Sequence, residues 1–216
     1  ETGEGRGASL SADAWLSPGY LERIKRAQEF LHAGESYEVC LTDTYSAGAE
    51  GELYSQLRSH NPAPYAAHLV FDGVEVCSAS PERFLTVRGR EVEAKPIKGT
   101  ISADEDPALL TTDPKTRAEN LMIVDLLRND LSRVCEPGSV RVPKLMQVES
   151  YATVHQLVST ITGALRANAT AVDALRATFP PGSMTGAPKL RTCEIIDQLE
   201  TLSLIHISEP TRRRGI

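Results

Sequence analysis

Four short strand-like segments follow one another between residues 65 and 94, joined by connections of only a few residues. They are Tyr65–Phe71, Val74–Ala79, Arg83–Val87 and Glu91–Ala94. Closely spaced strands with short turns are typical of an antiparallel sheet. This part of the chain therefore lacks the regular strand–helix alternation of a doubly wound parallel sheet.

Helices interrupt the strand groups at irregular intervals. The clearest begins at Asp113-Pro114, because aspartate caps a helix N-terminus and proline suits its first position. It should run to about Asn129, and another helix should begin at Pro18 and stop before Gly34. Further helices are predicted at 52–59, 172–177 and 187–199, and further strands at 36–45, 140–148 and 153–162. This order predicts an α+β fold with antiparallel β-sheets flanked by helices.

Composition and charge argue against several classes of protein. A net charge of −6 is unusual for a nucleic-acid binder, and no apolar run reaches the roughly 20 residues that span a bilayer. Residues 1–11 do not have the pattern of a signal peptide. The four cysteines are far apart, without metal-type spacing, and we expect them to be reduced in a cytoplasmic protein. They are Cys40, Cys77, Cys135 and Cys193.

Lys98 is the first candidate for chemistry, because it stands between an apolar residue and a predicted turn at Gly99-Thr100. Partial burial would lower the pKa of its amine and make it a nucleophile. A surface lysine in a turn is the alternative, and this segment alone does not decide between the two.

The predicted helix over residues 115–130 carries charged side chains among apolar ones. Charge is expensive to bury unless it is paired or bound to a metal. Glu119 offers a hard oxygen ligand of the kind that suits Mg²⁺. The alternative is an ion pair that fixes the helix, and for Asp125 and Arg128, three residues apart, we prefer that interpretation.

Residues 179–189 are rich in small and hydroxyl side chains and lead into the last predicted helix. Backbone N–H groups at a helix start can bind an anion, but the spacing of a phosphate-binding loop is absent. An ordinary strand-to-helix connection is the alternative. Taken singly, His155 in a predicted strand and Glu82 after Pro81 are typical of packed or surface residues.

Together these segments resemble the chorismate-binding enzymes. The family includes anthranilate synthase component I, aminodeoxychorismate synthase component I, and isochorismate and salicylate synthases. The resemblance runs in order from about Tyr20 to Glu200, and the joint occurrence of its blocks by chance is very small. The blocks are Ser80-Pro81-Glu82-Arg83-Phe84, Pro96-Ile97-Lys98-Gly99-Thr100, the helix from Arg117 to Asp130, His155 with its strand, and Gly182 to Lys189.

The residue after Pro96-Ile97 distinguishes branches of this family. Anthranilate synthases have alanine there, whereas Lys98 and the run Gly34–Thr42 are similar to the aminodeoxychorismate synthase branch. The resemblance implies Mg²⁺-dependent conversion of chorismate and ammonia into 4-amino-4-deoxychorismate, on the route to p-aminobenzoate and folate. Ammonia would come from glutamine through a glutaminase subunit or a fused glutaminase domain. The alternatives are anthranilate, isochorismate or salicylate synthesis, and a non-catalytic binding or regulatory subunit.

The resemblance also implies roles for individual residues. Lys98 would be the nucleophile, Glu82 the general acid, and His155 a further catalytic residue near the substrate ring. Glu119 would bind Mg²⁺. The residues expected to bind substrate are Gly99, Thr100, Ser183, Thr185, Gly186 and Ala187.

Three regions are expected along the chain. Residues 1–17, rich in Gly, Ser and Ala, have the composition of a linker or a cut edge. Residues 18–200 form a partial chorismate-binding catalytic domain. Residues 201–216 are expected to be non-native. Residues 202–212 resemble a translated sequencing adapter, and 213–216 are either its continuation or similar to the Arg-Arg-Gly that in the family follows the last predicted helix. Family elements that normally precede and follow the domain do not appear, so the chain by itself is expected to be inactive.

Overall fold

A computed structural model describes residues 18–43 and 52–200. Its helices are α1 (Tyr20–His32), α2 (Leu53–His60), α3 (Ala108–Thr112), α4 (Pro114–Ser132), α5 (Ala171–Thr178), α6 (Gly182–Thr185) and α7 (Lys189–Leu199). Its strands are β1 (Glu38–Val39), β2 (Tyr65–Phe71), β3 (Val74–Ser80), β4 (Thr86–Arg88), β5 (Glu91–Ala94), β6 (Ile97–Ser102), β7 (Arg141–Ser150), β8 (Val154–Ala164) and β9 (Gly186–Ala187).

Antiparallel pairing links the strands of residues 18–43 and 52–200 in three separate groups. The largest is a five-stranded sheet in which β8 pairs with β5, β6 and β7, and β5 pairs in turn with β4. The hairpin β2–β3 and the short pair β1–β9 form two further sheets. The predicted α+β class with antiparallel sheets is therefore confirmed.

The helix α4 lies against the large sheet and supplies much of the core. Asp113 caps it as predicted, since its carboxylate accepts a hydrogen bond from the Thr116 amide at 2.7 Å. Its apolar residues recur at helical spacing and pack on β5 and β8; the buried members of this cluster include Val92, Ala94, Ile123, Val124, Leu127, Leu131 and Ile161. Each large aliphatic side chain buried in this way contributes roughly 1.5–3 kcal/mol.

A smaller cluster joins the beginning and the end of the described chain. Ala27 of α1 packs against Ile195 and Leu199 of α7. The hydroxyl groups of Ser36 and Thr192 lie 2.7 Å apart and are buried beside it. The chain that follows α1 is therefore held next to α7.

The segment around Lys98 differs from its prediction as a turn, because residues 97–102 form strand β6. The irregularity falls at Gly99, which has a φ of 86° and lies where the register between β6 and β8 shifts. A β-carbon at this position would be 2.4 Å from Cγ2 of Thr116. Close packing of α4 on β6 therefore requires glycine here.

Other predicted boundaries are corrected or fall outside the description. The strand expected at 36–45 is limited to Glu38–Val39 among the described residues, and residues 44 and 45 lie outside them. The regions 1–17 and 201–216 also lie outside the described residues. Within the described ranges, no helix has the length and apolar character needed to cross a membrane.

Candidate active site

Lys98 lies on β6 and faces the short strand β1. Its Nζ donates a hydrogen bond to Oε1 of Glu38 at 2.8 Å, and the two side chains are only 15% and 19% exposed. The second carboxylate oxygen of Glu38, Oε2, is buried and finds no hydrogen-bond partner within residues 18–43 and 52–200. The amine that the sequence singled out is thus part of a largely buried ion pair.

The charge state of Lys98 differs from the prediction. Burial alone would lower the pKa of the amine, as expected, but the Glu38 carboxylate, with further contributions from Cys40 and Glu119, outweighs burial and raises it. The prediction of a lowered lysine pKa is therefore wrong, because the fold brings the Glu38 carboxylate into contact with the amine.

Cys40, also in the Gly34–Thr42 run, completes this side of the site. Its Sγ lies 3.7 Å from Oε1 of Glu38 and 3.6 Å from the carbonyl oxygen of Ser183. Burial, followed by the Glu38 carboxylate, raises the pKa of the thiol to about 11, so it stays protonated at neutral pH. The Gly34–Thr42 run distinguishes a branch of the family in the sequence, but no role was predicted for Glu38 or Cys40.

Glu82 follows β3 and carries an unusual carboxyl group. Burial raises its pKa to about 7, although a hydrogen bond from the Ile97 backbone and the charge of Lys98 oppose the shift. A narrow cavity adjoins it, lined by Glu82, Phe84, Ala94, Pro96, Ile123, Leu127, Pro181, Gly182 and Ser183. The group is therefore partly protonated near neutrality and able to donate a proton.

The segment from Gly182 to Ala187 is held against β1. The Cys40 amide donates to the Thr185 carbonyl at 2.9 Å, and the Tyr37 amide donates to the Ala187 carbonyl at 2.8 Å. Gly186 has a φ of 132°, and a β-carbon there would be 1.9 Å from the Glu38 carbonyl oxygen. The predicted substrate-binding residues of this segment therefore lie beside the strand that carries Glu38.

A buried ion pair anchors the far end of that segment. Lys189 pairs with Asp130 of α4 and also donates to the Thr178 carbonyl at 2.8 Å. The Asp130 side chain is 3% exposed, and burial raises its pKa despite the neighbouring ammonium group. The pair fixes the start of α7 to the helix at the centre of the core.

Glu119 lies on α4 and remains about one-third exposed. Lys115, one turn earlier, is 3.8 Å away, a weak pairing that leaves the carboxylate oxygens accessible. Its charge acts on both Lys98 and Cys40, so it faces the same region. Asp125 and Arg128, by contrast, form the predicted ion pair at 3.2 Å with both side chains largely exposed, which confirms that interpretation.

His155 and Thr100 lie further along the β6–β8 pairing. His155 Nδ1 is 2.8 Å from the Ser150 hydroxyl, and its Nε2 is 3.1 Å from the Ala103 carbonyl. Thr100 is exposed, and its Oγ1 lies 3.5 Å from Nε2 of the Gln156 side chain. These hydrogen bonds tie both residues to neighbouring strands rather than to the Lys98–Glu38 pair.

A different group of metal-ligating atoms is created by the β2–β3 pairing. His68 stands opposite Cys77, and Glu75 lies 2.8 Å from His68 Nε2 and 3.6 Å from Cys77 Sγ. Within the described part of the chain, this is the one set of three such groups close enough to share an ion. Its nitrogen and sulfur donors differ from the oxygen ligands that Mg²⁺ prefers, so this group does not fit the predicted Mg²⁺ site.

The fold and this arrangement identify the class of protein. The chain belongs to the chorismate binding enzyme family, whose sequence profile matches residues 3–212. It is 53% identical over 199 residues to the chloroplastic aminodeoxychorismate synthase of Arabidopsis thaliana, covering 85% of this chain and 22% of that protein. It is 47% identical over 191 residues to aminodeoxychorismate synthase component 1 of Escherichia coli (strain K12), covering 84% of this chain and 42% of that protein.

A solved structure supports the same assignment. Anthranilate synthase component I from Streptococcus pneumoniae TIGR4 aligns with a TM-score of 0.77 and 37% identity, over 86% of this chain and 43% of that one. The chain thus spans less than half the length of these relatives, and it shares the chorismate-binding fold over the part that it covers.

Proposed function

We propose that a complete enzyme carrying these residues converts chorismate and ammonia into 4-amino-4-deoxychorismate, a precursor of p-aminobenzoate and folate. The observation that carries the proposal is the position of Lys98, a largely buried amine beside Glu38 and within electrostatic reach of Glu82. The names of the curated relatives at 47–53% identity support it.

In the first step, Glu82 protonates the C4 hydroxyl of chorismate, a poor leaving group that departs as water. The neutral amine of Lys98 attacks C2, and the ring double bonds shift as the C4–oxygen bond breaks. The pKa of about 7 at Glu82 supports this role, because an acid is most useful when its pKa lies near the working pH.

In the second step, ammonia attacks C4 and the bond between C2 and Nζ of Lys98 breaks. The ring double bonds shift back as the electron pair of that bond leaves on the lysine nitrogen, and the new amine at C4 loses its excess proton to the Glu82 carboxylate. Two successive displacements place nitrogen para to the ring carboxylate. Direct addition of ammonia at C2 would instead give the ortho product.

We infer that Mg²⁺ assists this reaction and that Glu119 is one of its ligands, since a carboxylate that is about one-third exposed and within electrostatic reach of the lysine fits one hard-cation ligand. When bound, the ion would neutralise the carboxylate of the substrate. We assign substrate contacts to Gly99, Thr100 and a segment of small residues held against β1; the segment contributes Ser183, Thr185, Gly186 and Ala187. His155 would stand near the ring, at the edge of this site.

We further propose that ammonia comes from glutamine through a glutaminase subunit or fused domain, and that residues 18–200 are the chorismate-binding part of the enzyme. The name "component 1" carried by a bacterial relative supports a multi-component enzyme. We propose a cytoplasmic location because we expect the cysteines to be reduced. The plant relative, by contrast, is named chloroplastic.

The test is product analysis of the complete enzyme with chorismate, ammonia and Mg²⁺. We expect 4-amino-4-deoxychorismate, and we expect Lys98→Ala to lose most of this para-amination. Lys95→Ala is the matched control, because Lys95 also pairs with a glutamate, Glu149 at 2.6 Å. Anthranilate as the product, or full para-amination by Lys98→Ala, would contradict the proposal.

A further inference from the structure

The buried carboxylate of Glu38 has an incomplete set of hydrogen bonds. Oε1 accepts from Lys98 at 2.8 Å, while Oε2 is buried without a partner among the described residues. An ionised carboxylate normally accepts hydrogen bonds at both oxygens, and a buried unsatisfied oxygen destabilises the charged form. Oε2 of Glu38 is therefore an acceptor atom left open beside the Lys98–Glu38 ion pair.

The proposed reaction needs an acceptor for a proton of Lys98, because only a neutral amine can attack carbon. In the described part of the chain, the ionisable groups that act on Lys98 are Glu38, Cys40, Glu119 and Glu82. The Cys40 thiol already carries its proton, and Glu82 must hold one for the leaving hydroxyl. Glu119 acts on Lys98 through its charge and is the proposed ligand of Mg²⁺.

Among these groups, Glu38 alone both contacts the Lys98 amine and has a carboxylate oxygen, Oε2, without a hydrogen-bond partner within the described ranges. We propose that Glu38 accepts a proton from Lys98 before the amine attacks the substrate, and returns it when the lysine is released. This role rests on the proposed function. The first transfer converts an ammonium–carboxylate pair into a neutral amine and a neutral acid. The released lysine is again a neutral amine, so the returned proton restores the original pair.

Substrate binding should favour this transfer. Two opposite charges lose solvation when a site is closed to water, whereas a neutral amine and a neutral acid lose much less. The two side chains are already only 15% and 19% exposed, and chorismate over the site would remove the remaining water. The ion pair is thus the resting form and the neutral pair the reactive one.

The test compares two reactions of Lys98 in the wild type and in Glu38→Gln. The first is acetylation of the 216-residue chain by acetic anhydride, followed lysine by lysine with peptide mass spectrometry. In the wild type, Lys98 should react more slowly than Lys115, whose side chain is 84% exposed. Glu38→Gln removes the anion that keeps Lys98 protonated, so acetylation of Lys98 should become severalfold faster.

The second reaction is chorismate consumption by the complete enzyme. Here Glu38→Gln should be at least about 100-fold slower, because most Lys98 is still protonated in the variant and, without Glu38, has no group in the substrate-covered site to accept its proton. The matched control is Glu149→Gln, which releases Lys95 from a comparable pair and should leave both reactions of Lys98 unchanged.

The outcomes separate this inference from the proposed function. Three results would overturn the role of Glu38. In Glu38→Gln they are unchanged chorismate consumption, or a slowing of both reactions together. In the wild type it is equal acetylation of Lys98 and Lys115. Failure of the wild-type enzyme to form the para-amino product would overturn the proposed function, while the response of Lys98 acetylation to Glu38→Gln would still stand.

Discussion

At the residue scale, three glutamates around one lysine differ in their surroundings and so in their chemistry. Burial raises the pKa of Glu82, the Lys98 ammonium group forms an ion pair with Glu38, and Glu119 stays partly exposed to solvent on α4. The residue type alone would make them equivalent. Their environments separate them into a proposed acid, a proposed proton acceptor and a proposed metal ligand.

Glu82 should titrate near neutral pH. Because burial raises its pKa to about 7, the protonated form required of a general acid is present below that pH and is lost as the pH rises through it. Carboxyl ¹³C NMR should give a midpoint near 7 for Glu82, and kcat/KM at constant free ammonia should fall above it. A midpoint in the ordinary range of glutamate, or a rate that stays flat through neutrality, would rule out this acid.

Glu119→Gln should raise the Mg²⁺ concentration needed for half-maximal activity by about tenfold or more, because the amide is a poorer ligand than the carboxylate. The thermal unfolding midpoint should hardly move, since the side chain is about one-third exposed and only weakly paired. Asp125→Asn on the same helix serves as the control and should leave the Mg²⁺ titration unchanged. An unaltered titration in Glu119→Gln would remove this residue from the metal site.

At the scale of elements, α4 connects the core to the site. One face packs on the large sheet, Glu119 lies within electrostatic reach of Lys98, and Asp130 holds Lys189 at the start of α7. The segment that bears Ser183 and Thr185 is therefore tied at one end to α4 and along its length to β1. A change in the Asp130–Lys189 pair should act on both stability and site geometry.

Asp130→Ala should destabilise the fold by about 3–5 kcal/mol, because it leaves the Lys189 ammonium in a buried place without its counter-charge. Asp125→Ala breaks an exposed pair on the same helix and should cost less than about 1 kcal/mol. Urea unfolding of both variants measures the difference. Equal losses would mean that the buried pair has no special part in holding α7.

At the scale of the whole molecule, the sequence predicted best those features of the fold that depend on residues close together in the chain. The cap at Asp113, the hairpin β2–β3 and the α+β class were predicted from neighbouring residues and are confirmed. The contact between Lys98 and Glu38 was missed, because it joins two strands from different sheets that are 60 residues apart in the chain. The same ion pair reversed the predicted direction of the lysine pKa. The roles assigned to individual site residues stay predictions.

Contacts that close the site join segments synthesised at different times. The hydroxyls of Ser36 and Thr192, which hold the base of β1 against α7, are 156 residues apart. At the usual rate of translation, a ribosome needs on the order of ten seconds to make the intervening chain. The large sheet and α4 can assemble within that interval, because their strands and helix are complete by residue 164. A nascent chain stalled after β8 would therefore carry Lys98 on a formed sheet, with Glu38 not yet fixed beside it.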